Sequence, residues 1–392
     1  MDTATAPATT QKTSLRIAVG ALFFLAGISF ASWASRIPTI QQTMHLSYAA
    51  WGAVLFALPA GLMCSLPFSG WIITKIGSKK LALSSQLMYS FILVAIGLAQ
   101  TPLQLVICLV CFGFSGNAAN IAVNTQAVTA EKLYGRPIMA SFHGLWSVGG
   151  FAGAGIGILM IGNKINPFYH FIIISIIFIA GLIVAAKYLH DDTGPTVTAD
   201  STSLTPLQKL KLAAPLIPLG VIALCSMICE GSMFDWSGIY FKKVVAAPVA
   251  LQGLGFTSFM LTMFLGRFVA DGFTDRFGLK RTLQLSGLLT GSGLLIAVVF
   301  PYFYTALLGF LLVGAGVCSV VPMVYSATGK SKTMSTGVAL SAVSTIGFIG
   351  FLVGPPLIGF IAGLATLRAS FALIALMGIS ILIISTKTNL DS

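Results

Sequence analysis

Residues 266–281 read GRFVADGFTDRFGLKR, and this charged segment between apolar runs is the most informative part of the sequence. Apolar runs near residues 250–270 and 282–300 flank its charged centre. About 20 apolar residues in a helix are enough to cross the hydrocarbon core of a bilayer. The stretch therefore predicts two membrane-spanning helices joined by a short charged loop.

The rest of the chain repeats this alternation. Only 8% of its 392 residues are charged, 56% are hydrophobic and the mean hydropathy is +0.95, whereas a soluble domain carries roughly 25% charged residues. The net charge of +12 is spread in small groups between apolar runs, which argues against nucleic acid as a partner. The composition predicts an all-α membrane protein in contact with the lipid bilayer, and the twelve apolar runs lie near residues 15–35, 47–72, 80–100, 103–127, 138–161, 167–187, 215–240, 250–270, 282–300, 303–325, 335–361 and 365–385.

The distribution of basic residues predicts the orientation. Seventeen of the 22 Lys and Arg residues fall in the two tails and the even-numbered loops, and five fall on the other side. Because cytoplasmic loops are enriched in Lys and Arg, we expect both termini in the cytoplasm. The short loops are typical of a multi-pass protein of the bacterial inner membrane.

A polar stretch at residues 190–212 divides the twelve runs into six and six. We interpret it as a cytoplasmic linker between an N-terminal half (15–189) and a C-terminal half (213–386), with cytoplasmic tails at 1–14 and 387–392. A gap-free shift of 201 residues maps Gly77 onto Gly278, Gly113 onto Gly314 and Gly149 onto Gly350. These matches predict two parallel six-helix repeats, an architecture of secondary transporters.

The loops after helices 2 and 8 carry a common motif. Residues 70–80 read GWIITKIGSKK, and residues 266–281 hold a fuller copy with Arg267, Asp271, Asp275, Arg276 and Gly278. Both resemble the G-x-x-x-D-R-x-G-R-K signature of the major facilitator superfamily. The resemblance implies a twelve-helix major facilitator fold and a cytoplasmic latch at those five residues. The first copy has Thr74 in place of the acid, so we assign the latch to the second.

Two further stretches, RPIMASFHGLWS at 136–147 and EGSMFDW at 230–236, resemble the fucose-permease-like branch of the superfamily. Known members of that branch include proton-coupled sugar importers. The resemblance implies transport of a small polar solute.

Two acids, Glu230 and Asp235, lie within a predicted span and away from the cytoplasmic loops. Carboxylates inside a membrane are costly and usually serve ion or proton pathways. A carboxyl that alternates between its neutral and charged forms can load and release a proton. We expect proton coupling at Glu230, with Asp235 as a second candidate, while a structural pair for Glu230 and an interfacial anchor for Asp235 stay open.

Helix 4 carries an amide stripe of Asn117, Asn120 and Asn124, with Gly113 and Gly116 at helical spacing. Amides donate and accept hydrogen bonds, which suits a neutral polar solute, although Asn also joins membrane helices to one another.

On helix 5, His143 can change its charge near physiological pH and Trp146 can stack on a sugar face. We include both, together with Glu230, in the predicted solute site, and His143 also among the proton-coupling candidates. A packing role is the alternative for each.

The symporters of the branch place their working carboxylates in helices 1 and 4, but helix 1 here has no acid between Ile17 and Ser35 and helix 4 has asparagines. Coupling must therefore use other residues, or the transporter is not proton-driven. We expect a monomeric secondary transporter of a sugar or sugar-like solute, moving it by alternating access with proton symport, with no cofactor, no metal and no enzymatic activity. Proton-coupled efflux of amphipathic molecules, or a membrane-embedded sensor or enzyme, are the alternatives.

Overall fold

The computed structural model describes residues 8–134, 138–191, 216–329 and 336–388. Most of the predicted linker and Arg136 of the branch motif lie outside these ranges. Within them the chain forms fourteen α-helices: α1 (Ala8–Thr43), α2 (Tyr48–Leu55), α3 (Ala57–Ile76), α4 (Ser78–Leu98), α5 (Pro102–Tyr134), α6 (Met139–Gly162), α7 (Pro167–Ala186), α8 (Ile217–Lys243), α9 (Leu254–Phe277), α10 (Leu279–Val299), α11 (Phe303–Val317), α12 (Val320–Gly329), α13 (Thr336–Leu364) and α14 (Leu367–Lys387).

Twelve helical segments are long and apolar enough to cross a membrane, which confirms the predicted number of spans. Two predicted spans are interrupted: α2 and α3 together form one, and α11 and α12 form another. Each interruption lies shortly before a proline, Pro59 in the first turn of α3 and Pro322 in the first turn of α12. A proline has no N–H to donate and its ring clashes with the carbonyl four residues earlier, so the helix restarts there.

The described helices group into two compact units. The first unit comprises the described residues of Met1–Ile40 and Ala57–Thr198, and the second those of Gln41–Phe56 and Ala199–Ser392. In the first unit α5 packs on α3 and α4, and α4 packs on α7. In the second unit α8 packs on α13, α10 on α11 and α14, and the short α2 on α13.

Glycines set the close helix contacts, and they repeat between the units. A methyl group at Gly113 on α5 would overlap the carbonyl oxygen of Leu58 on α3, and one at Gly314 on α11 would overlap that of Phe259 on α9. The shift of 201 residues that relates Gly113 to Gly314 also relates Leu58 to Phe259. The internal repeat predicted from the sequence therefore extends to the packing partners of its glycines.

The two motif glycines have the same backbone conformation. Gly77 connects α3 to α4 at φ 82°, and Gly278 connects α9 to α10 at φ 84°. Residues other than glycine rarely adopt such positive φ values. The glycine of each motif copy is thus required by the sharp turn between two consecutive helices.

Candidate functional site

A cavity of about 270 Å³ lies inside the first unit. Helices α1, α3, α4, α5 and α6 contribute its lining, which consists of Leu22, Phe23, Ala26, Phe30, Leu58, Leu62, Gln86, Tyr89, Phe112, Gly113, Gly116, Asn117, Ala119, Asn120, Val123 and Trp146. The lining combines aromatic, aliphatic and amide groups, and no charged side chain belongs to it. Such walls suit an uncharged solute with both an apolar face and polar groups.

Aromatic rings form much of this wall. Tyr89 and Phe112 stack with their ring centroids 4.0 Å apart, and Phe30 and Trp146 meet at 6.0 Å. A side chain at Gly116 would collide with the Tyr89 ring, so the glycine makes room for it. Flat aromatic faces beside polar groups are well suited to ring-shaped solutes.

The three asparagines of the α5 stripe have different roles. Asn117 Nδ2 donates to Ser65 Oγ (2.6 Å) and more weakly to the Leu62 carbonyl (3.4 Å), so its N–H groups join α5 to α3 while its side chain borders the cavity. Asn124 Nδ2 donates to the Oδ1 and backbone oxygen of Asn120, both at 2.8 Å. Asn120 lines the cavity, and Asn124 supports Asn120 from outside the lining.

Gln86 on α4 is a cavity residue that the sequence analysis missed. It belongs to the buried face of α4, which repeats at helical spacing. The side chain is 1% exposed, and its buried Oε1 has no hydrogen-bond partner among the described residues. A buried amide without a partner costs about 1–3 kcal/mol. In the sequence, Gln86 belongs to the same helical face as Ser85 and Ser90. Nothing in that pattern distinguishes a solute-binding residue from a packing residue.

His143 and Trp146 both lie on α6, but they differ in their position relative to the cavity. Trp146 lines the cavity. His143 is exposed, lies outside the lining and contacts the Phe23 ring edge-on at a centroid distance of 5.2 Å. Phe23 itself lines the cavity, so the His143 ring contacts the outer side of a cavity residue.

In the second unit, Glu230 and Arg267 form an ion pair, with Glu230 Oε1 and Arg267 Nη2 3.9 Å apart. Glu230 is the middle residue of α8, and Arg267 lies inside the candidate span Val249–Ala270 on α9. Their side chains are 12% and 22% exposed. Arg267 is also one of the predicted latch residues. It lies more than two helical turns before the end of α9, at a level where it pairs with the acid of α8.

Asp235, five residues after Glu230 on α8, is partly buried and has no hydrogen bond or ion pair among the described residues. The next residue, Trp236, is fully buried, and its ring centroid lies 6.2 Å from that of Tyr48. Trp236 is therefore packed inside the second unit.

The other latch residues lie at the C-terminal end of α9. Asp275, Arg276 and Gly278 are exposed, and the Arg276 guanidinium lies 5.4 Å from the centre of the Phe277 ring. The side chain of Asp271 lies outside the described part of the structure. In the first unit, where Thr74 replaces the acid, Lys79 instead pairs with Asp191 after α7 at 3.0 Å.

Another buried cation lies on α1. Arg36 is 2% exposed; its Nε donates to His170 Nδ1 (3.0 Å) and its Nη2 to the Ile165 carbonyl (2.8 Å). Both partners are neutral, since His170 can accept at Nδ1 only when that nitrogen is unprotonated. No carboxylate within the described ranges pairs with Arg36.

Comparison with known proteins places this architecture in a family. The family model of the Major Facilitator Superfamily matches residues 17–249 and 241–388. A Yersinia pestis protein described as an uncharacterized MFS-type transporter is 31% identical over 371 residues, which cover 95% of this chain and 94% of that protein. The membrane protein MosC of Rhizobium meliloti is 29% identical over 364 residues, covering 92% and 87%.

Solved structures share the fold at low sequence identity. The nucleoside transporter NupG superposes with a TM-score of 0.74 at 13% identity, over 95% of this chain and 98% of that one. The E. coli fucose:proton symporter FucP superposes with a TM-score of 0.63 at 16% identity, over 95% and 98%.

Proposed function

Because the chain belongs to the major facilitator superfamily, and is therefore a multi-pass membrane transporter rather than an enzyme, we propose that it moves a small, uncharged, sugar-like solute by alternating access with proton symport. The observation that carries the solute class is the cavity of the first unit, whose walls offer aromatic faces and amides and no charged side chain. An ionic solute would leave its charge unpaired there at high cost.

Two structural neighbours carry solutes of this class. NupG is a nucleoside transporter and FucP a fucose:proton symporter. Fucose and nucleosides are both uncharged and carry hydroxyl groups on a ring. FucP also supports the proposed place of this chain in the fucose-permease-like branch.

The proposed site uses Asn117, Asn120 and Trp146 for direct solute contact and Asn124 as the support of Asn120. His143 acts on the solute through its contact with Phe23. Glu230 is proposed as the coupling acid, because its ion pair with Arg267 can open when the carboxyl takes up a proton and close when it releases one. Asp235 is the second candidate for this role.

We also propose a topology for the chain and a latch on its cytoplasmic side. Both termini lie in the cytoplasm of a bacterial inner-membrane monomer, with six-helix halves at 15–189 and 213–386 joined by the linker 190–212. The cytoplasmic latch consists of Arg267, Asp271, Asp275, Arg276 and Gly278. Asp275→Asn in the flux assay described next tests it, since a latch residue alters the rate of transport and leaves solute affinity unchanged.

Purified protein in liposomes loaded with a pH-sensitive dye tests the coupling. Solutes such as L-fucose and uridine are added outside one at a time, and proton entry is recorded beside counterflow of the labelled solute. We expect one solute to drive protons inward. Glu230→Gln, which keeps the size of the side chain and removes its charge, should abolish proton entry and preserve counterflow.

Asp235→Asn is the matched control, since it neutralises the neighbouring acid on the same helix. If Asp235→Asn abolishes proton entry and Glu230→Gln does not, the assignment of the coupling acid is wrong. Counterflow without proton movement in the wild type contradicts symport. Outward movement of amphipathic dyes with no response to any sugar-like solute supports the efflux alternative.

A further inference from the structure

Two buried glutamines of the first unit use their amides in opposite ways. Gln126 on α5 is fully buried and satisfied: its Nε2 donates to Ser78 Oγ (2.7 Å) and to the His190 carbonyl (2.8 Å), and its Oε1 accepts from His190 N (2.9 Å). Gln86 is 1% exposed, and its buried Oε1 has no partner among the described residues. The hydrogen bonds of the folded protein satisfy the Gln126 amide, but they leave the Gln86 Oε1 unpaired.

Gln86 lies where a molecule in the cavity can pair with its amide. Its side chain borders the cavity, one turn of α4 before Tyr89, whose ring stacks on Phe112. Native proteins leave few buried polar groups unpaired, and each such group calls for a specific reason. For a polar group in a cavity wall, the reason can be that a bound molecule completes its hydrogen bonds.

We propose that Gln86 is a solute-binding residue whose amide recognises two neighbouring hydroxyl groups of the solute. Its Oε1 accepts a hydrogen bond from one hydroxyl, and its Nε2 donates a hydrogen bond to the next. Vicinal hydroxyls fit because each can donate and accept, and the amide can rotate into either orientation at low cost. This inference rests on the proposed function, since it names the feature of the sugar-like solute that the same cavity reads.

The test compares Gln86→Met with Gln126→Met in the purified full-length protein. Methionine keeps the length of the side chain and removes the amide. Two quantities are measured: the thermal unfolding midpoint in detergent, and the binding of solute pairs that differ in hydroxyl groups, uridine against 2′,3′-dideoxyuridine and L-fucose against 2-deoxy-L-fucose.

We expect the unfolding midpoint of Gln86→Met to equal or exceed that of the wild type, because no protein hydrogen bond is lost. Its affinity for the fully hydroxylated member of the transported pair should fall about tenfold, as two hydrogen bonds of ordinary strength are removed. Its affinity for the deoxy member should not change. Gln126→Met should lower the midpoint, because its three hydrogen bonds to Ser78 and His190 are lost.

Each opposite result overturns the inference. If Gln86→Met lowers the midpoint as far as Gln126→Met, the Gln86 amide has a structural partner. If both members of a pair lose affinity equally, or neither does, Gln86 does not read hydroxyl groups. When the wild type moves a hydroxylated solute and Gln86→Met binds it unchanged, the proposed function stands and only this inference is wrong. When the wild type binds no member of either pair, the sugar-like solute class is wrong and the inference falls with it.

Discussion

Arg36 and His170 illustrate how single residues carry constraints that a sequence pattern does not display. The guanidinium is buried among neutral acceptors, so its charge is stabilised by hydrogen bonds rather than by a carboxylate. Removing the hydrogen-bond partner of a buried charged group strongly lowers the stability of the protein. The bond from Arg36 Nε also fixes the tautomer of His170, because Nδ1 must stay unprotonated to accept it.

His170→Phe should destabilise the protein by about 1–3 kcal/mol, because phenylalanine fills the space and leaves Arg36 Nε without an acceptor. The measurement is the thermal unfolding midpoint of the purified protein. The neighbouring Tyr169→Phe is the control, since Tyr169 is 62% exposed and should tolerate the change. Equal midpoints for His170→Phe and the wild type would show that the Arg36 bond to His170 contributes nothing to stability.

Helices are the scale at which the sequence is most informative. The apolar runs predicted all twelve spans, since the thickness of a bilayer imposes a length that hydropathy reveals directly. The interruptions before Pro59 and Pro322 were missed, because a proline in a membrane helix signals a kink, a break or neither until its neighbours are known. The pairing of Gly113 with Leu58 likewise depends on which helices meet.

Gly113→Ala should destabilise the first unit, because the added methyl group forces α5 away from α3, and overpacking of this kind costs about 1–3 kcal/mol. Gly314→Ala should do the same between α11 and α9 if the repeat is energetically as well as geometrically equivalent. Gly70→Ala on α3 is the matched control, since nothing lies within 4 Å of the position of its added methyl group. Thermal unfolding of the three variants measures the effect, and a loss in Gly70→Ala as large as the others contradicts the close-packing argument.

At the scale of the whole molecule, the sequence predicted the architecture better than the site. The superfamily and its twelve helices followed from motif and hydropathy. The cavity residues Asn117, Asn120 and Trp146 were predicted because amides and tryptophan are conspicuous in apolar helices. The role of Gln86 and the ion pair between Arg267 and Glu230 were not predicted, since both depend on contacts between helices.

The orientation of the whole chain can be tested across a single helix. Arg281 lies in the first turn of α10 and Tyr302 in the loop after its other end, and both are exposed. In intact cells, a membrane-impermeant maleimide should label Tyr302→Cys and leave Arg281→Cys unlabelled, and cell lysis should expose Arg281→Cys. The wild type reports any background from the six native cysteines. The reverse labelling pattern would place both termini outside.

The ion pair between Glu230 and Arg267 also bears on how the protein is inserted during its synthesis. A lone Arg or Asp at the centre of a helix costs about 2.5–3.5 kcal/mol on insertion scales. Helices α8 and α9 are consecutive, and each carries one member of the pair. Entry of the two as a hairpin brings the opposite charges together within the bilayer, so the penalty that each helix would face alone is reduced for the pair. The segment that contributes the acid leaves the ribosome first and is in place when its basic partner follows.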